Sequence, residues 1–205
     1  MGQQKIQEFL IWDTPTRVFH WLLVSGFTTC YLTGENDHWA LIHITGGYMV
    51  LGLILFRILW GFIGTQHALF RNFICGPRAG CNYLISLCRN KARHYAGHNP
   101  AGAMAIVTLI TLGLLVTITG IMISEGESYP SLDKAHAVTS SLMLGMVFIH
   151  VIGVLLGSLL HKENLIGAMI TGYKPNCERE GISQSYRWLG IALACFVTLF
   201  WIFSL

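Results

Sequence analysis

Four histidines stand inside long apolar stretches of this 205-residue sequence: His20, His43, His136 and His150. Ionisable groups buried in a bilayer are costly and are functional candidates by default. An imidazole there ligates a metal, relays a proton or hydrogen-bonds a neighbouring carbonyl. Fourteen residues separate His136 from His150, which on a helix is a rotation of about 40° and a rise of about 21 Å. The two rings therefore share one face at two depths. His20 lies fourteen residues before Gly34, and His150 fifteen after Ala135, so both sit roughly 21 to 22 Å from the same end of their spans. His43, two residues past Leu41, and His136, one past Ala135, both lie within roughly 3 Å of that end.

Two pairs at two depths are what bis-histidine ligation of two stacked haems requires, because the iron of an electron-transfer haem takes an axial ligand on each face. Any one of these residues alone reads as a core histidine bonded to a carbonyl, but matched depths in antiparallel spans favour ligation. A proton relay stays open, although no intramembrane Asp or Glu accompanies the histidines. Zinc suits the pattern less, since each layer offers only two imidazoles.

His161 shares nearly the same helical face as His150, but it lies about 39 Å from the outer end, beyond a hydrocarbon core of about 30 Å. His38, His67, His94 and His98 fall in or near connections and are expected to be solvated or interfacial. Met143 and Met146 are expected to pack in the core. Gly46, Gly47, Gly52 and Gly145 remove volume beside the paired histidines, either for a flat macrocycle or for close helix packing. Arg57, fourteen residues after His43, reaches the depth of the inner pair, where it either pairs with a haem carboxylate or snorkels to the interface. Arg17 and Lys134 invite the same two readings. Trp12, Trp21, Trp39 and Trp60 are placed as an aromatic belt.

The elements that must position these groups are membrane helices. Hydrophobic residues make up 53% of the chain and charged ones 11%, with a mean hydropathy of +0.56, whereas soluble domains average about 25% charged. Apolar runs from Arg17 to Gly34, Leu41 to Ile63, Ala101 to Ser124, Ala135 to Leu160 and Tyr186 to Leu205 predict an all-α integral membrane protein. Residues 17–160 form its four-helix transmembrane bundle and 186–205 a fifth, C-terminal transmembrane helix, in a single membrane domain over 1–205. The runs are about twice as long as barrel strands and lack their alternation. Glu8, Asp13 and Pro15 interrupt the N-terminal apolar residues, so no cleavable signal is expected.

Lys and Arg gather on one side: Lys5 and Arg17, six charges from Arg57 to Arg93, and four from Lys162 to Arg187, against Lys134 alone on the other. The positive-inside rule places the N-terminus and the 64–100 connection in the cytoplasm of a bacterial inner-membrane protein. The +3 net charge is explained by this asymmetry, and no nucleic-acid partner is expected. The six cysteines form no C-x-x-C pattern and none falls in an outer connection, so neither covalent haem nor a structural disulfide is expected. Within the 64–100 connection, Tyr83, Leu84, Leu87 and Cys88 follow Gly76-Pro77 at helical spacing and predict a short amphipathic helix on the membrane surface. Gly97 to Pro100 predict a turn before the third span.

The stretches Trp12 to Trp21, Ile42 to Tyr48, Phe56 to Gly61, the Gly97 to Ala103 turn and the His136 to His150 span resemble the bacterial dihaem cytochrome b561 family, which includes the b-type subunits of nickel-iron hydrogenases. The likeness covers about residues 9 to 172. It implies two haem b groups, one on His20 and His150 and one on His43 and His136. It also implies electron exchange between a membrane quinone and a redox partner such as a periplasmic c-type cytochrome, a reductase or a hydrogenase. Two other functions stay open: a stand-alone superoxide:quinone oxidoreductase, as some small family members are, and a non-redox transporter.

Overall fold

Proline opens three of the five long helices, and a side-chain cap joins it in two of them. In the computed structural model, which describes residues 7–89, 91–127, 129–175 and 181–204, Asp13 caps helix α1 (Thr14–Thr33) by accepting from Thr16 N at 2.7 Å, with Pro15 in its first turn. After a 3-10 turn at Asp37–Trp39 comes α2 (Ala40–Ile63). The connection that follows holds the one-turn α3 (Phe70–Phe73) and α4 (Pro77–Cys88). Asn99 then caps α5 (Pro100–Ser124) through Gly102 N, and Pro130 opens α6 (Pro130–His161). Proline fits there because it lacks only an N–H that would be unpaired anyway. The chain ends with α7 (Leu165–Thr171) and α8 (Arg187–Ser204). The expected amphipathic helix is thus α4. Lys5, Cys177, Arg179 and Leu205, used in the sequence reading, lie outside the described residues. The other five cysteines are free thiols.

Among the described residues, four helices are long and apolar enough to cross a membrane: 37–63, α5, α6 and α8. The first expected span is the exception. α1 has twenty residues, a length of about 30 Å, but it is less apolar because it carries Arg17, His20 and several Ser and Thr. Its neighbours explain how it tolerates them: α1 packs against α2 on one side and α8 on another. Phe19 of α1, Met49 and Leu53 of α2 and Val197 of α8 form a common buried cluster. The fifth hydrophobic segment therefore lies on the outside of α1 and α2, fastened by a bond from Trp201 Nε1 to Met49 Sδ.

The remaining packing runs in series, α1 on α2, α2 on α5 and α5 on α6. Glycine brings two of these pairs close: a Cβ at Gly26 would stand 2.4 Å from Met49 Cε, and one at Gly113 would stand 2.6 Å from Ile54 Cδ1. Along α6 only Met143 and Gly157 are buried, and large apolar residues such as Phe148, Ile149 and Leu159 are exposed, as a lipid-facing helix requires.

Two short strands not anticipated from the sequence close the end that carries the 64–100 connection. β1 (Glu8–Leu10) and β2 (Tyr173–Pro175) are antiparallel, with Phe9 opposite Lys174. The pairing continues as Ile11 N and Trp12 N donate to Gly172 O. Gly172 adopts φ 92° where α7 stops, and a Cβ there would lie 2.8 Å from Trp12 O, so glycine answers both demands.

Candidate functional site

His43, on α2, and His136, on α6, face each other with ring centroids 6.2 Å apart and planes at 79°. Each is oriented by a neighbouring helix: His43 Nδ1 donates to Cys30 O at 2.9 Å, and His136 Nδ1 to Val116 O at 3.0 Å. A carbonyl only accepts, so both Nδ1 atoms carry the proton and both Nε2 atoms keep a lone pair, the arrangement of metal-ligating histidines. Glycine makes room for the rings, since a Cβ at Gly34 would be 3.1 Å from His43 Cε1 and one at Gly120 would be 2.9 Å from His136 Cε1.

His20, on α1, and His150, on α6, are the second pair expected from the sequence. His20 Nδ1 is buried with no hydrogen-bond partner among the described residues. Arg57 is only 3% exposed, and its two terminal guanidinium nitrogens are likewise buried and unpartnered. Its charge rests on rings instead, 4.8 Å from the Phe70 centroid and 5.8 Å from that of Phe73. Unpaired buried donors are expensive, most of all on a cation, so Arg57 suits an anion. Arg17 is more engaged within the chain, donating to Ile170 O at 2.6 Å and to Thr14 Oγ1 at 3.1 Å. Lys134 is exposed.

The residues present fit haem. Imidazole-metal bonds run about 2.0–2.1 Å, so two imidazoles on opposite faces of one iron hold their ring centroids roughly 6 Å apart. The His43–His136 separation matches that figure. Among the described residues no three His, Cys, Asp or Glu side chains form a metal-holding group. Pairs are what an iron needs when a porphyrin fills its four equatorial positions. A Cβ at Gly47, Gly52 or Gly145 would meet nothing within 4 Å, which leaves room for a flat group beside those helices. Gly46 instead serves α1–α2 packing, with Cys30 Sγ 2.7 Å from its virtual Cβ. Met143 is buried against α5.

Several expectations are corrected at the connection end. Trp12 and Trp60 are 6% exposed and form no belt there. Trp60 Nε1 donates to Asp13 Oδ2, which also accepts from Thr65 Oγ1. His67 is 8% exposed, and the His98 ring lies between Trp12 and Phe73, at 4.6 and 4.5 Å. Neither is solvated: the connection folds back over the helix ends and takes both inside. Burial holds the His98 imidazole well below its ordinary pKa, and the charge of Arg57 adds to the effect. His161 is bonded to Tyr83 OH at 3.1 Å. His94 pairs with Glu163, whose other oxygen meets the buried Lys174.

Asp13 was overlooked as a site-building residue. Its sequence signal was an N-cap aspartate followed by Thr-Pro.

A family profile for prokaryotic cytochrome b561 matches residues 11–172. A protein of Rhodobacter capsulatus named "Probable Ni/Fe-hydrogenase B-type cytochrome subunit" is 23% identical over 214 aligned residues, covering 80% of each chain. A protein of the same name from Rhizobium leguminosarum bv. viciae is 22% identical, covering 85% of this chain and 92% of its own. One from Escherichia coli K12, "Probable Ni/Fe-hydrogenase 1 B-type cytochrome subunit", is 21% identical, covering 80% and 89%. No solved structure matches. The profile takes in all four paired histidines, and the chain belongs to the prokaryotic cytochrome b561 family, multi-pass membrane cytochromes that carry haem b and transfer electrons.

Proposed function

We propose that the chain is a dihaem b-type cytochrome that carries electrons across the inner membrane, between the quinone pool and a redox partner at the outer face. The observation that carries this reading is the opposed His43 and His136 rings, each with Nδ1 committed to a backbone carbonyl. Haem iron, cycling between ferric and ferrous states, supplies the one-electron capacity. His43 and His136 hold one group near one end of the bundle, and His20 and His150 hold the other about 21 Å along α6. Arg57 sets a positive charge beside the inner pair, and the backbones of α1 and α5 fix the outer rings.

The charge asymmetry supports a cytoplasmic N-terminus and a cytoplasmic 64–100 connection. A quinone role is supported by a groove of about 300 Å³ along α1, whose mostly apolar lining includes Val18, Trp21 and Leu22 and begins one residue from His20. The names of the relatives support a hydrogenase or similar complex as the partner.

The test uses the full-length protein purified from membranes. A pyridine haemochrome assay is expected to return two haem b per chain, and a reduced quinol to reduce both in proteoliposomes. A Soret-silent protein sinks the reading, and a single haem removes its dihaem part.

A further inference from the structure

The connection end holds polar atoms that the assignments above leave without work. Both terminal nitrogens of Arg57 and Nδ1 of His98 are buried and unpartnered among the described residues. The two side chains belong to one cluster: Phe73 lies 5.8 Å from the Arg57 guanidinium carbon and 4.5 Å from the His98 ring. Arg57 lies fourteen residues after His43 on α2, about 21 Å along the helix, which sets this cluster at the depth of the inner histidine pair. Among the described residues, two carboxylates at this end are already committed. Asp13 accepts from Thr16 N, Trp60 and Thr65, and Glu163 is taken by His94 and Lys174.

Several buried nitrogens with no partner among the described residues mark a place built for an acceptor from outside the chain, toward which an imidazole with its proton on Nδ1 donates. A guanidinium and an imidazole select a carboxylate, which accepts several charge-assisted hydrogen bonds. Trp12 and Phe73 hold the His98 ring from two sides, so its direction is set before anything binds. We propose that His98, carried by the connection, joins Arg57 of α2 in binding one carboxylate of the haem held by His20 and His150. This rests on the two-haem reading, and it makes the connection part of the inner site. His98 acts as a positioning and tuning residue, since a donor on a haem carboxylate offsets negative charge that otherwise favours ferric iron.

The experiment is a potentiometric titration of the purified holoprotein, followed in the α-band and repeated in a His43→Ala background so that the inner haem is read alone. The haem count of the unaltered protein comes first. Fewer than two haems defeats the two-haem reading itself, and with it the premise of this proposal. With two present, His98→Phe, which keeps an aromatic ring between Trp12 and Phe73 but removes the N–H, is expected to lower the inner potential and leave the outer unchanged. His98→Gln, which keeps a donor at a different reach, is expected to lower it less, and Arg57→Gln more. The exposed Arg71→Gln is the control and is expected to move neither. Combining His98→Phe with Arg57→Gln is expected to give a shift smaller than the sum, as two groups on one acceptor require. If His98→Phe fails to assemble, His98→Gln decides. An inner potential equal to that of the unaltered protein in every His98 variant that assembles overturns the proposal, as does a shift confined to the outer haem.

Discussion

His43 and His136 hand their Nδ1 protons to the carbonyls of Cys30 and Val116, whereas His20 Nδ1 is buried with no partner among the described residues. The outer rings are aimed by the backbones of adjacent helices, and glycines at 34 and 120 admit their edges. At the connection end the polar groups are unsatisfied instead among the described residues: a guanidinium whose terminal nitrogens have no hydrogen-bond partner and an imidazole clamped between aromatic rings. On the proposed reading, one pair is oriented by the protein alone, and the other sits in a pocket that a bound group completes. Preorganisation of the first kind lowers the cost of binding, while the second kind couples binding to the packing of the whole connection end.

The contrast can be broken most completely by removing ligands. His136→Ala is expected to lower the haem count from two to one by loss of the outer haem, and His150→Ala to do so by loss of the inner, each read by pyridine haemochrome. His161→Ala, which frees Tyr83 OH and removes a ring contact with His94, should keep both. Next in size is Asp13→Ala, which strips the acceptor from Thr16 N, Trp60 Nε1 and Thr65 Oγ1. At about 1–3 kcal/mol per buried group left unpaired, thermal unfolding should move down by several degrees, with inner-haem absorbance lost before outer. Gly120→Ala presses a methyl on the His136 ring. The ferric electron paramagnetic resonance signal of the outer haem should shift while the inner signal stays. The smallest effect belongs to Trp201→Phe, which removes the bond to Met49 Sδ. It should lower stability by about 1 kcal/mol and leave both haem spectra unchanged.

The helices were legible in the sequence because a spanning helix is a local object: twenty apolar residues declare it wherever its partners lie. The same locality made α4 readable from the spacing of Tyr83, Leu84 and Leu87. α1 was found as the run from Arg17 to Gly34, although its composition falls short of the apolar standard that the other spans meet. The relation between histidines was readable because helical rise converts residue number into depth. Burial in the connection was not. His67, His98, Trp12 and Trp60 look like interfacial residues in sequence, and only the fold-back of residues 64–100 onto the helix ends takes them inside. The β1–β2 pairing was equally hidden, since three-residue strands far apart in the chain carry no periodicity of their own.

That pairing orders events in time. β1 precedes α1 and β2 follows the fourth long helix of the bundle, so the pairing of Phe9 with Lys174 and the hydrogen bonds of Ile11 and Trp12 to Gly172 can form only after the chain through Pro175 has left the ribosome. The little sheet acts as a latch, which shuts the connection end only on a chain whose four paired histidines have all been made.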